Sequence, residues 1–231
     1  MMKMMRRTIK MENNKKKSLI PKAALIKAWL IWETFPQTCY NYERMMGQVV
    51  AHMFSTIIGF LYKDDPSKRK EVMKREIEFF NVHIEFGSCI LGMAVALEEQ
   101  KAMGENIPGE FITNLKTSLM GPLAGMGDTI WQGVVIPILL AVCIDLTRSG
   151  SGNVWGAVIY AVVIVVAAYA LSYWNFMFGY KAGSEAIMDF LEKGILNKLI
   201  KGASIMGCMV MGGLIVNYVK AVCGLKIVSS T

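Results

Sequence analysis

At 231 residues, with a hydrophobic fraction of 54% and a mean hydropathy of +0.39, the chain is too apolar for an ordinary soluble domain, so most of it is expected in a bilayer. Its net charge of +7 is concentrated: sixteen of the 25 Lys and Arg fall in residues 1–75, including Lys15, Lys16 and Lys17 and the group Lys68, Arg69, Lys70, Lys74 and Arg75. That bias reads as cytoplasmic; nucleic-acid binding, the competing reading of a basic arm, is disfavoured because no recognisable nucleic-acid fold accompanies the charge and the rest of the chain is hydrophobic.

Residues 1–21 form a basic tail whose opening methionines, Met1, Met2, Met4, Met5 and Met11, offer several start positions. The apolar stretch Ala23 to Trp32 is interrupted by Lys27 and lacks a small-residue cleavage site, so it is not a secretory signal. Lys22 to Phe35 has Leu25, Trp29 and Trp32 at helical spacing and predicts an amphipathic helix lying along the membrane. Tyr42 to Leu61 predicts a second helix, with Met45, Met46, Val49, Val50, Met53 and Ile57 apolar. Asp64, Asp65 and Pro66 end it, and Pro66 opens a charged amphipathic cytoplasmic helix over Ser67 to Phe80. Gly87 to Leu97 is apolar but too short to span, and it runs into Glu98, Glu99 and Gln100. It reads as half of a re-entrant hairpin or as a buried helix.

The stretch Gly121 to Asp128, GPLAGMGD, holds four helix-disfavouring residues, Gly121, Pro122, Gly125 and Gly127, directly before the apolar run Thr129 to Leu146. It predicts a broken helix with a carboxylate at a membrane entrance, a construction found at transporter substrate and gating regions. A tight turn with Asp128 as a solvated N-cap is the competing reading. Val154 to Trp174 carries no charge and has Trp155 and Trp174 at interfacial positions, which predicts a transmembrane helix. Ala203 to Val219 is a further charge-free run whose Gly207, Gly212 and Gly213 permit close helix contact. The fold class is therefore all-α: an integral membrane helical protein with amphipathic cytoplasmic helices and re-entrant hairpins.

Catalytic constellations are absent from the pattern. Cys39, Cys89, Cys143, Cys208 and Cys223 are scattered and read as packed free thiols, and neither His52 nor His83 has neighbours at zinc spacing. No metal and no cofactor is implied. His83, with Asn81 and Glu85 in apolar surroundings, reads as a structural histidine in preference to a phosphorylated or proton-carrying one. Planar amides, carboxylates and aromatic rings are the groups that bind sugars. Asn41, Tyr42, Glu43, Arg44, Asn81, Glu98, Glu99, Gln100 and Asp128 supply them, each with the alternative of locking helices together. Glu43 and Arg44, as sequence neighbours on a helix, are expected to find separate partners.

The segments NYERMM (Asn41 to Met46), EFFN (Glu78 to Asn81), LEEQ (Leu97 to Gln100), LMGPLAGMGD (Leu119 to Asp128) and GASIMG (Gly202 to Gly207) stand in one register. In order and approximate spacing the chain resembles the IID subunit of the mannose/fructose/sorbose family of bacterial phosphotransferase systems, over roughly residues 22–220.

The resemblance implies a multi-pass subunit of the bacterial cytoplasmic membrane, with residues 22–231 as a IID-like membrane domain and the basic N-terminal region in the cytoplasm. It implies a IIC partner, with which it forms the sugar-translocating unit inside a larger homo- and hetero-oligomer. Separate IIA and IIB components carry phosphate to the incoming hexose, so this subunit is not itself an enzyme. Asn41, Tyr42, Glu43, Arg44, Asn81, His83, Glu98, Glu99, Gln100 and Asp128 are then expected to line the sugar path or the IIC boundary, and Gly121, Pro122, Gly125 and Gly127 to form a hairpin backbone. Two departures accompany it: the family's usual C-terminal membrane section is lacking, and Ile84 stands where a Pro is common. The first leaves a non-transporting scaffold or receptor assembled with IIC as the alternative function.

Overall fold

A computed structural model describes residues 18–148 and 154–193, with single helical positions from Ile205 to Val219. The segments 202–207 and 203–219, and with them Cys208 and Cys223, lie outside the described residues apart from those positions. Eight α-helices and one π-helical turn account for the regular structure among the described residues. They are α1 (Lys22–Thr34), α2 (Gly47–Ser55), α3 (Ile58–Leu61), α4 (Pro66–Glu76), α5 (Ile84–Ala102), α6 (Gly109–Gly127), π1 (Asp128–Val135), α7 (Ile136–Arg148) and α8 (Trp155–Lys193).

The start of α4 follows local chemistry. Asp65 caps α4 by accepting the Lys68 backbone N–H at 3.0 Å, and Pro66 takes the first helical position, where its missing N–H is harmless. α1 buries Leu25, Ala28, Trp29 and Trp32 at spacings of three and four. Its two indoles fix its place: Trp29 donates to Ser172 Oγ at 2.9 Å and meets the rings of Tyr169 and Tyr173 edge-on, while Trp32 donates to the Ile84 carbonyl at 3.1 Å. Ile84 opens α5, a position that tolerates proline well.

The apolar run expected at Gly87 to Leu97 extends to 19 residues and forms a buried helix, with Ile90, Leu91, Ala94 and Val95 wholly covered. Its main partner is α8, and the two backbones approach closely at glycine. A Cβ on Gly92 would stand 2.1 Å from the Phe176 carbonyl oxygen, and one on Gly179 would stand 2.0 Å from that of Cys89. Gly179 and Gly183 form a G-x-x-x-G pair, the small-residue spacing that lets membrane helices touch.

Trp155–Gly183 and Gly109–Ile144 are long and apolar enough to cross a membrane. Val158, Val162, Val163, Val165 and Val166 point outward from α8. In water that face would be unfavourable, whereas against lipid it needs no protein cover.

Two expectations are corrected here. Gly121, Pro122, Gly125 and Gly127 do not break the chain into a hairpin: α6 runs through them to Gly127. Burial of Leu119, Met120 and Leu123 outweighs their poor helix propensity. The irregularity falls one step later, as π1, where Thr129 Oγ1 donates to the Gly125 carbonyl at 2.5 Å. Pro137, near the start of α7, lacks the N–H that the preceding turn would use, which suits a change of register there. Asp128 is accordingly inside a continuous helical run and is not the N-cap of a helix after a turn. In addition, the helix expected from Tyr42 begins only at Gly47 and is interrupted after Ser55.

The glycine contacts make opposite predictions within one fold. Gly92→Ala is expected to destabilise by about 1–3 kcal/mol through backbone overpacking. Gly121→Ala, where an added Cβ meets nothing within 4 Å, should be neutral or gain about 0.5–1 kcal/mol. Unfolding midpoints in detergent decide it, and equal tolerance of the two variants would refute the close contact.

Candidate functional site

The polar residues divide into an exposed loop, a junction beside it and a buried charge network. In the loop, Asn41 Oδ1 accepts the backbone N–H groups of Glu43 and Arg44 at 3.1 and 2.9 Å, and Met45 takes a left-handed backbone with φ of 49°. This turn replaces the expected helical start. It also reverses the expectation for Glu43 and Arg44, which pair with each other at 3.3 Å because a turn, unlike a helix, brings successive side chains together. Tyr42 is 97% exposed. Cys39, Tyr40, Asn41, Tyr42, Glu43, Arg44 and Gln48 line an open cleft of about 760 Å³.

The loop is tied to the EFFN segment by backbone bonds, Met46 N–H to the Phe80 carbonyl at 2.8 Å and Phe80 N–H to the Arg44 carbonyl at 3.2 Å. Tyr40 donates to Asn81 Oδ1 at 3.3 Å, and the Asn81 N–H meets Met120 Sδ at 3.1 Å. His83 follows, buried, with its ring against Gly127; a Cβ there would stand 2.3 Å from the ring. Asp128, next in the chain, is exposed. Three sequence motifs far apart in the chain, NYERMM, EFFN and LMGPLAGMGD, thus meet in one region, with Asn41, Tyr42, Glu43, Arg44, Asn81, His83 and Asp128 on or beside it.

Glu98, Glu99 and Gln100 lie elsewhere, at the C-terminal end of α5. Glu98 is wholly buried and pairs with Arg75, with the Tyr62 hydroxyl donating at 3.4 Å. Glu99 accepts from the backbone N–H groups of Leu19 and Ile20 at 2.7 and 3.1 Å, from Ser18 Oγ at 2.7 Å and from the Tyr180 hydroxyl. Gln100 donates to the Gly183 carbonyl at 3.2 Å. All three hold protein to protein.

Around Glu98 the network widens to residues that sequence patterning left on a solvated helix. Arg75 faces Glu71 at 3.4 Å and Glu76 at 3.6 Å, and Lys116 of α6 pairs with Glu76 at 2.8 Å. Arg75, Glu76 and Lys116 are all buried. Burial would lower the pKa of Arg75, but Glu98, then Glu76 and Glu71, more than offset this and raise it. The available signal was Lys116, a lone cation in an apolar helical pattern. No group of His, Cys, Asp or Glu that could hold a metal ion occurs among the described residues.

A sequence model described as "PTS system mannose/fructose/sorbose family IID component" matches residues 19–231. The chain belongs to this family. It is 38% identical over 181 residues to the mannose-specific EIID component of Escherichia coli K12, covering 78% of this chain and 62% of that one. It is 34% identical to the fructose permease IID component of Bacillus subtilis, with coverage of 76% and 62%, and 31% identical to the sorbose-specific EIID component of Lacticaseibacillus casei, with coverage of 89% and 71%. The match to the mannose relative thus spans about three-fifths of that protein. Among solved structures it is similar to a chain in the cryo-EM structure of the mannose transporter ManYZ with microcin E492, at a TM-score of 0.74 and 34% identity over 86% of this chain and 71% of that one. By family the chain is thus a IID component, and the buried network above is framework within a helical membrane protein.

Breaking that framework on one side leaves a charge stranded. Arg75→Met is expected to destabilise by about 3–5 kcal/mol, and Arg75→Met with Glu98→Leu by distinctly less than the sum of the two single changes. Strict additivity of the unfolding free energies would mean that the pair does not act as one unit.

Proposed function

We propose that this IID chain pairs with a IIC subunit to import a hexose of the mannose, fructose or sorbose class, which a IIB component phosphorylates during uptake. The observation that carries the reading is the convergence of NYERMM, EFFN and LMGPLAGMGD around Asn41, Asn81 and Asp128, beside helices of membrane-spanning length. Family membership supports it, as does the likeness to a chain of a mannose transporter assembly.

On this reading Asn41, Tyr42, Glu43, Arg44, Asn81 and Asp128 offer hydrogen-bonding groups to sugar hydroxyls or to IIC, while Glu98, Glu99 and Gln100 brace the bundle behind them. Sugar enters a cavity shared by the two membrane subunits, and movement of one helical body against the other exposes it to the cytoplasm. Phosphorylation makes the product an anion, and return through an apolar barrier is then unfavourable. The basic face of α4 is the docking surface for IIB. Of its cations, Lys68, Lys70 and Lys74 are exposed, whereas Arg69 is turned to the Tyr62 and Lys63 carbonyls and Arg75 to Glu98.

Phosphoenolpyruvate-dependent uptake of labelled hexoses, in cells lacking their own mannose system and expressing this chain with its IIC, IIB and IIA partners, tests the proposal. Uptake should require this chain, and Asp128→Asn should lower it roughly tenfold, the loss of one charge-assisted hydrogen bond. A recovered IIC complex without uptake would mean a scaffold, and full uptake by Asp128→Asn would remove the charge from the mechanism.

A further inference from the structure

Depth along α8 is marked by its tryptophans. Trp155 and Trp174 are each 63% exposed. The helix between them rises about 28 Å, close to the roughly 30 Å of a bilayer's hydrocarbon core. Trp174 stacks on Phe178, also exposed, with ring centroids 5.7 Å apart. Amphipathic rings at both ends of such a span belong at the two membrane–water boundaries.

α1 crosses one of these boundaries beside α8. Ser18, just before α1, meets the Tyr180 hydroxyl at 3.2 Å, whereas Trp29 meets Tyr169, Ser172 and Tyr173. The two helices therefore run antiparallel, and Ser18 stands about 9 Å outside the level of Trp174. On that course Lys22 comes just outside this level, Ile26 and Lys27 at it, and Leu30 just inside. These four side chains share the side of α1 turned away from the bundle and are exposed, while Leu25, Ala28, Trp29 and Trp32 face inward. Cations thus sit at headgroup depth, with apolar side chains at and below it. That order suits a lipid leaflet and ill suits a subunit interface, whose core is depleted of lysine. The sequence adds to the charge: residues 1–27 hold nine Lys and Arg against one carboxylate, Glu12.

We propose that this face of α1 binds anionic phospholipid in the leaflet at the Trp174 end of α8, Lys22 and Lys27 meeting phosphate groups while Ile26 and Leu30 enter the acyl chains. Lys27, at the boundary itself, reaches outward on its aliphatic stem. Each cation near a negative membrane surface favours the contact roughly fivefold, so anionic headgroups collect here in preference to zwitterionic ones. Trp29 and Trp32 hold α1 to Ser172 of α8 and to the Ile84 carbonyl of α5, and through them the lipid contact sets the height of the bundle in the membrane. The inference does not rest on sugar transport.

The test uses the full chain with its IIC partner in lipid nanodiscs. Two lipids carry the same photoreactive group beside the headgroup, one on anionic phosphatidylglycerol and one on phosphatidylcholine. Mass spectrometry of the digested chain should find residues 19–30 labelled roughly fivefold or more in favour of phosphatidylglycerol. High salt should narrow that excess, because the charges are solvent-exposed. Lys22→Gln together with Lys27→Gln should cut it at least about threefold, whereas Lys22→Arg with Lys27→Arg should retain it. Labelling of the outward valines of α8 by phosphatidylcholine should be the same in every variant, which separates a lost lipid contact from failed insertion. Equal labelling of residues 19–30 by the two lipids, an excess that the Gln pair leaves unchanged or the Arg pair abolishes, or cross-links from this face to IIC in place of lipid would overturn the proposal.

Discussion

The close approach of α5 and α8 is the constraint on which the rest of the structure depends. Gly92 lies against the Phe176 carbonyl, Gly179 against that of Cys89, and Gly183 against Met93 and Ala96. In lipid there is little hydrophobic force to drive helices together, so association relies on contact density and polar locks, and a side chain at any of these positions would hold the backbones apart. With the backbones in contact, short side chains reach across: Ser88 and Ser172 stand 2.7 Å apart, and Asn175 donates to the Glu85 carbonyl at 3.1 Å. Ser172 also accepts from Trp29, so the same contact places α1.

Buried charge does a different task at the other end of α5. Arg75 and Glu98, with Lys116 and Glu76, join α4 to α5 and α6 in a region almost free of solvent. Such pairs contribute little net stability relative to apolar residues of the same size, yet they tolerate few alternative arrangements, because any misplaced helix strands a charge. We read them as setting where the charged helix α4 sits on the apolar bundle. Arg75 thereby ceases to be a surface cation, although its sequence context, between Lys74 and Glu76, reads as a solvated face.

How much of this was legible in the sequence depended on whether local chemistry or tertiary contact decided the outcome. The helix over Lys22–Thr34, the Asp65 and Pro66 start of α4 and the apolar helix beyond Trp155 were readable, since side-chain spacing, a cap or sheer length fixes each. The course of residues 121–127 was not. Four residues of poor helix propensity argued for a break, and only the burial of Leu119, Met120 and Leu123 reveals why the helix continues. The turn at 41–46 was missed for a related reason: its apolar spacing imitates a helix, and the backbone bonds to Phe80 that override it come from residues far along the chain. The candidate polar residues were all identifiable by type, but their division into exposed and locked sets was not, because burial at 98–100 depends on Arg75, Ser18, Tyr180 and Gly183 arriving from elsewhere.

That division bears on function more than the list does. Residues already saturated by protein partners cannot take up a sugar hydroxyl without giving up a bond, and Glu99, which accepts from four donors, has the most to give up. Tyr42 and Asp128, by contrast, are exposed, whereas Asn41 Oδ1 already takes the Glu43 and Arg44 N–H groups and Asn81 Oδ1 the Tyr40 hydroxyl. On the proposed function, this exposed polar surface is where another molecule is met. Its nearness to π1 is physically apt, since a π-turn accommodates an extra residue without ending the helix, and so presents Asp128 from a segment whose position is still fixed by α6 on one side and α7 on the other. On the proposed function, rigid support behind an exposed polar face lets the bundle move as a body while the groups proposed to meet sugar or IIC keep their mutual spacing.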